Sequence, residues 1–301
     1  MEDCPGSVLL IAPTLDAADD AFIDFGCFLS ESESIRIFPE WESLPSEDVP
    51  LNREILAQRL QLVRLLQAAE HASGSPRLII ASVQALQEPV IDRELLGQCF
   101  SEFRIGQDRM LEQTIEWLVD HDFERLPQVE SPGEFSVRGG ILDIFPLGED
   151  WPVRIEYFGD TVDSMRRFDP STQRSEESLE SIRVLAIKEE EFHHLKKSEH
   201  GASLFDYLPQ ETWVFVKEPA EVQRKAEQLL DTDFAKGELF DYPTLRERWQ
   251  QFPNLHLTEL PGRRETNAAD FSVRSTSERF TGELSSMADE LKMLSLSNDR
   301  V

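Results

Sequence analysis

Side chains with binding chemistry occupy alternate positions of one short segment. Arg154, Glu156 and Phe158 stand in the run VRIEYF, with valine, isoleucine and tyrosine before or between them. Side chains alternate along a β-strand, so these three should share one face while the apolar residues face a core. A guanidinium beside an exposed aromatic ring is typical of a protein-binding surface. Alternatively, Arg154 and Glu156 form a surface ion pair of about 0–1 kcal/mol and Phe158 closes the edge of a small core.

Motifs for catalysis and nucleotide binding are absent from the sequence. A phosphate-binding loop needs glycines and a lysine, yet no glycine is followed by lysine anywhere in the chain. The remaining candidates for chemistry are charged pairs: Asp231/Asp233, Asp289/Glu290 and His193-His194. A metal site at the histidines would need Glu190 or Glu191 as a third ligand. We interpret all three pairs as solvated groups, and nothing in the residues demands an enzyme.

The composition limits the possible partners. The net charge is −28, and no cluster of Lys and Arg stands out, so this segment should bind DNA weakly or not at all. No apolar run approaches the length of about 18 residues that a membrane span needs. Three widely spaced cysteines and an amino terminus without a basic leader favour the cytoplasm.

Two patterns of elements divide the chain. Apolar runs at 8–12 and 78–81, a strand at 34–38 and an amphipathic helix at 53–69 alternate as in a parallel α/β sheet. From about residue 100 to 185 the pattern is α+β with short alternating strands, which predicts an antiparallel insert. After 186, helical patterns return, with helices predicted at 219–230, 244–252 and 283–294 and a strand at 271–274.

The insert carries a distinctive set of motifs. They are Phe135-Ser136-Val137-Arg138-Gly139, Asp143-Ile144-Phe145-Pro146, Arg154-Ile155-Glu156-Tyr157-Phe158-Gly159-Asp160 and Phe168-Asp169-Pro170. In order and spacing they resemble the second domain of UvrB, a subunit of bacterial nucleotide excision repair. The upstream loop FPEWESLP at 38–45 resembles that of bacterial transcription-repair coupling factors, which carry a degenerate UvrB-like core at the amino terminus. The resemblance covers residues 7–190 well and is weaker beyond.

The resemblance implies a fold and a partner. The fold would be a degenerate RecA-like (P-loop NTPase-like) α/β core that carries an inserted α+β domain of the UvrB type. Residues 1–99 would form one lobe, 100–185 the insert, and 186–301 a second lobe that is cut short. The partner would be UvrA, the damage-recognition ATPase, bound by Arg138, Arg154 and Phe158. The Phe168-Asp169-Pro170 turn is interpreted as structural.

The same resemblance implies a recruiting role without catalysis in this segment. No cofactor is expected here, because ATP and magnesium would belong to the translocase motor of the family. RNA polymerase and DNA would be bound through carboxy-terminal modules. Two alternatives stay open: the ATPase half of a UvrB-like DNA helicase, and a stand-alone regulator that binds UvrA.

Overall fold

A computed structural model of the chain describes residues 7–28, 35–42, 52–69, 78–186, 201–231 and 239–258. These ranges contain a five-stranded, a six-stranded and a two-stranded sheet. The predicted mixed α/β class is therefore confirmed. The histidine pair, Asp233, the acidic pair at 289/290 and the elements predicted at 271–274 and 283–294 lie outside the described residues.

The elements follow one another closely in the described part of the chain. The strands are β1 (Val8–Ala12), β2 (Ile35–Phe38), β3 (Leu78–Ser82), β4 (Phe100–Arg104), β5 (Glu124–Arg125), β6 (Glu134–Arg138), β7 (Ile141–Ile144), β8 (Val153–Phe158), β9 (Thr161–Phe168), β10 (Ser175–Ser178), β11 (Ser181–Leu185), β12 (Trp213–Lys217) and β13 (Asn254–Leu257). The helices are α1 (Leu15–Phe28), α2 (Arg53–Ala69), α3 (Val83–Gln87), α4 (Arg93–Gln98), α5 (Leu111–Asp120), α6 (Pro219–Leu230) and α7 (Tyr242–Trp249), with a 3₁₀ turn at Leu204–Tyr207.

The five-stranded sheet is parallel throughout, in the order β13-β12-β1-β3-β2. Every residue of β1 and β3 is buried, as the apolar runs predicted. Helix α1 covers one side of this sheet through Ala18 and Ala21, and α2 covers the other through Leu56 and Val63. The predicted bounds of α2 are confirmed. Its first turn is capped by Asn52, whose Oδ1 accepts from the backbone N–H groups of residues 54 and 55 at 3.0 and 3.2 Å.

The insert forms the other two sheets. Strands β4 and β11 pair antiparallel at its two ends, so the chain enters and leaves side by side. The six-stranded sheet has the order β10-β9-β8-β7-β6-β5 and is antiparallel except for the short β5–β6 pair. Gly139 and Gly140 form the two-residue connection between β6 and β7, and Gly139 has a φ of 62°. The sequence therefore predicted antiparallel character correctly, and the glycine pair is the turn of a hairpin.

Segments from both ends of the described chain build the parallel sheet. Strand β12 lies directly beside β1, although the insert and more than half of the chain separate them in sequence. The parts predicted at 1–99 and 186–301 thus contribute strands to one sheet. The division into 1–99, 100–185 and 186–301 stays a prediction, and a RecA-like core is not confirmed by this arrangement.

Helix α2 connects the parallel sheet with the insert. The Arg53 Nη1 group donates to the backbone oxygen of Asp122 at 2.9 Å, and Gln61 Nε2 donates to that of Gly148 at 3.0 Å. One continuous hydrophobic core also joins α2 to Phe135 of the insert. The insert is therefore held against α2 by polar and apolar contacts. Within the described ranges, every helix is too short or too polar to cross a bilayer.

Candidate protein-binding face

The six-stranded sheet has one side in the hydrophobic core and one side turned away from it. Its core side consists of Phe135, Leu142, Ile144, Val153, Ile155, Val162 and Met165, with Tyr157 partly buried. The opposite side is called the outer face here, and strand register places on it Arg138, Ile141, Asp143, Arg154, Glu156, Phe158, Ser164 and Arg166. The alternation predicted along β8 is confirmed.

Phe158 is the most exposed large apolar side chain in the described residues. Its exposed fraction is 82%, and it stands at the end of β8, before a turn in which Gly159 has a φ of 61°. The alternative that Phe158 closes the edge of a core is therefore wrong. A phenyl ring this exposed contributes little to folding and is available to a partner.

Arg154 is largely enclosed by its own domain. Its side chain is 16% exposed, because Nε and Nη2 donate to the two carboxylate oxygens of Asp143 at 2.6 and 2.8 Å. The Asp143 hydrogen bonds raise the pKa of Arg154 further above its usual range. Nη2 also donates to Gln173 Oε1 at 3.0 Å, and the guanidinium lies 4.5 Å from the centre of the Phe168 ring. The bidentate pair is thus made inside the domain.

The alternative interpretation expected Glu156 to form an ion pair with Arg154, but Glu156 has other partners in the structure. Its carboxylate accepts from Ser164 Oγ at 3.0 Å and forms an ion pair with Arg166 on the neighbouring strand. The Ser164 hydrogen bond, followed by Arg166, lowers the pKa of Glu156. The expectation was wrong because Ser164, opposite Glu156 in the register, and Arg166, diagonal to it on the same neighbouring strand, bind its carboxylate, while Arg154 pairs with Asp143 on the other side.

Arg138 is exposed at the end of β6. The only hydrogen bond of its guanidinium to the described residues runs from Nη2 to the Pro127 backbone oxygen, at 3.3 Å. The following turn packs closely on β8, since a Cβ at Gly140 would lie 3.0 Å from the Tyr157 backbone oxygen. Most N–H donors of the planar Arg138 guanidinium therefore make no hydrogen bond to the described residues and are available to another molecule.

The structure places all three predicted residues on one face but gives them different surroundings. Phe158 and Arg138 are exposed, whereas Arg154 is held by Asp143 and Gln173. The sequence analysis missed those two contacts. The signal for Gln173 was its place three residues after the Phe168-Asp169-Pro170 motif, which had been interpreted as a turn alone.

The end of β1 is where a phosphate-binding loop would lie. Here only Pro13 and Thr14 connect β1 to α1, and Thr14 Oγ1 accepts from the Ala17 N–H at 3.2 Å. Nearby Glu40 has a pKa raised mainly by burial, and Asp19 adds to the shift. In the described ranges no group of three or more His, Cys, Asp or Glu side chains could hold a metal ion.

Comparison with known proteins places the insert in a family. Residues 102–189 match the family model described as the UvrB interaction domain. The chain is 35% identical over 182 residues to a transcription-repair-coupling factor of Bacillus subtilis, 31% over 184 residues to one of Myxococcus xanthus, and 32% over 196 residues to one of Staphylococcus aureus. These alignments cover 60–63% of this chain but only 15–16% of each relative.

Proposed function

We propose that the chain recruits UvrA in transcription-coupled repair, because residues 102–189 match the UvrB interaction domain and 60% of the chain aligns with a transcription-repair-coupling factor. It does so as a docking module without a reaction of its own. RNA polymerase binding and ATP-driven movement on DNA are assigned, in the same proposal, to other parts of such a factor.

The exposure of both Phe158 and Arg138 on the outer face of the six-stranded sheet is the observation that carries this proposal. A phenyl ring at 82% exposure and a guanidinium with most donors unengaged, both on one rigid sheet face, match the composition of interface hot spots. The surrounding ion pairs, Arg154–Asp143 and Arg166–Glu156, keep that face polar around the ring. A partner with an apolar pocket rimmed by carboxylates is complementary to it.

Titration of purified UvrA with this chain tests the proposal, and Arg138→Ala sharpens the test. We expect wild type to bind and Arg138→Ala to bind about tenfold more weakly, because the variant lacks the guanidinium that donates charged hydrogen bonds to UvrA. The control is Arg104→Ala, which removes an exposed arginine, with a side chain 63% exposed, from the other sheet of the insert. Equal affinities of wild type and Arg138→Ala would count against this face as the binding site.

The alternative, an ATPase half of a helicase, predicts that the chain binds nucleotide. We expect no binding, because the connection at Pro13 and Thr14 is two residues long and the acidic Asp16 lies in the first turn of the following helix. A carboxylate at that helix start would repel phosphate. Differential scanning fluorimetry with and without ATP and Mg²⁺ checks this. A nucleotide-dependent rise in Tm, or ATP turnover above a buffer blank, would favour the helicase alternative.

A further inference from the structure

The segment that follows β9 folds over the Arg154 guanidinium. This segment, Phe168-Asp169-Pro170-Ser171-Thr172-Gln173, is called the 168–173 turn. It starts with the fully buried Phe168, whose ring lies against the guanidinium, and ends with Gln173, whose side chain accepts a hydrogen bond from it. Both ends of the turn therefore touch the same arginine.

Asp169 fixes the backbone of this turn. Its Oδ1 accepts from the backbone N–H of Ser171 at 2.7 Å, from Ser171 Oγ at 2.6 Å and from the Thr172 N–H at 3.2 Å. These bonds, those from Ser171 first, lower the pKa of Asp169 to about 2. The backbone N–H of Gln173 closes the turn by donating to the Asp169 backbone oxygen at 2.7 Å. The carboxylate thus remains charged and the turn closed at any physiological pH.

Gln173 adopts a backbone conformation that side chains other than glycine rarely take. Its φ is 60°, which costs about 1 kcal/mol relative to the right-handed region. Its amide is oriented at both ends, because Nε2 donates to the Pro170 backbone oxygen at 2.8 Å while Oε1 accepts from Arg154. Strain of this kind persists where the surroundings fix it, and it concentrates at functional sites.

The contacts leave one side of the guanidinium for a partner. Of its five N–H donors, the one on Nε and the two on Nη2 are taken by Asp143 and Gln173. The pair on Nη1 has no partner among the described residues. Arg154 can therefore donate to a partner through the two N–H groups of Nη1, whereas a bidentate pair that uses both Nη1 and Nη2 is excluded while these contacts hold.

We propose that the 168–173 turn is a positioning element in which Gln173 and Phe168 fix Arg154 so that Nη1 is presented to one carboxylate or carbonyl oxygen of the partner. This inference rests on the proposed recruitment of UvrA. Because the guanidinium is already fixed before binding, the complex forms without the loss of conformational entropy that a mobile arginine would undergo. Gln173 then influences affinity through Arg154 without touching the partner.

Two substitutions at one position test this role. Gln173→Gly removes the acceptor while suiting the positive φ, and Gln173→Glu keeps an acceptor in place. We expect UvrA to bind Gln173→Gly about fivefold more weakly and Gln173→Glu within about twofold of wild type. In an Arg154→Ala background, Gln173→Gly should have no further effect, because the residue acts through Arg154. Gln128→Ala is the control, because within the described residues the exposed Gln128 side chain donates only to the Pro170 backbone oxygen and makes no hydrogen bond with Arg154.

Nitrogen-15 NMR of the arginine side chains gives a readout that needs no partner. Rotation about the Cζ–Nη bonds of Arg154 should be slow in wild type and Gln173→Glu, and faster in Gln173→Gly. Unchanged rotation, or a wild-type affinity of Gln173→Gly alongside a weakened Arg154→Ala, would overturn the positioning role alone. Absence of UvrA binding by the wild-type chain would instead overturn the proposed function, and the role of Gln173 with it.

Discussion

Replacing Phe158 with alanine is expected to weaken UvrA binding by about 2 kcal/mol or more, roughly thirtyfold in Kd. The ring is 82% exposed in the chain alone, so almost all of its apolar surface remains to be buried by a partner. Burying a phenylalanine side chain contributes about 1.5–3 kcal/mol. Isothermal titration calorimetry of UvrA with the two chains measures the difference.

The same substitution should leave folding unchanged, which separates a binding effect from a stability effect. Urea unfolding of Phe158→Ala should give a free energy within about 0.5 kcal/mol of wild type, because the ring has few contacts to lose. Trp151→Ala is the matched control, since Trp151 is a partly exposed aromatic residue near the opposite end of β8. If both variants weaken binding equally, or neither does, Phe158 is not the anchor of the interface.

Removing Arg59 is expected to produce the largest loss of stability. Arg59 of α2 is 3% exposed, and its Nη1 donates to Glu88 Oε2 at 2.7 Å and to the Pro39 backbone oxygen at 2.6 Å. Its guanidinium lies 4.2 Å from the centre of the Phe38 ring and 4.9 Å from that of Trp41. Trp41, in the loop that follows β2, is 7% exposed, and its backbone N–H donates to the Glu88 carboxylate. One buried ion pair therefore fastens this loop.

Arg59→Ala should lower the free energy of unfolding by about 3–5 kcal/mol, because Glu88 is left as a buried acid without its cation. Arg59→Met combined with Glu88→Leu should recover most of that loss, since a buried pair exchanged for apolar residues costs little. Urea unfolding followed by circular dichroism measures all three chains. Arg224→Ala, which removes one member of an exposed pair in α6, should leave the free energy of unfolding almost unchanged.

The loss caused by Arg59→Ala should grow with pH. Burial raises the pKa of Glu88 to about 7, although Arg59 lowers it. A pKa that is higher in the folded chain than in the unfolded chain stabilises the folded state at low pH. This stabilisation is fully present below the pKa that Glu88 has in the unfolded chain, and it is lost as pH rises through the pKa that Glu88 has in the folded chain. In wild type that loss is complete just above pH 7. Without Arg59 the pKa is higher still, so stability keeps falling. The difference between variant and wild type should be larger at about pH 8.5 than at about pH 6; a constant difference would contradict this coupling.

The sequence alone determined much of the local structure of this protein and which residues share the outer face of the six-stranded sheet. Continuous apolar runs identified β1 and β3 as buried strands, because a central parallel strand has no solvent face. Two-residue alternation placed Arg154 and Phe158 on one side of β8, because that period is fixed by the geometry of a strand. The motifs of the insert indicated its family before any fold was known, and the family match agrees.

The tertiary structure decided which charges meet, because ion pairs depend on contacts between segments remote in sequence. Arg154 pairs with Asp143 rather than Glu156, since the register of β7 and β8 sets those two side by side. The Gln173 contact and the buried Arg59–Glu88 pair likewise join residues 19 and 29 positions apart. The pairing of β12 with β1 depends on where the chain re-enters the parallel sheet after the insert. No local sequence pattern encodes that position.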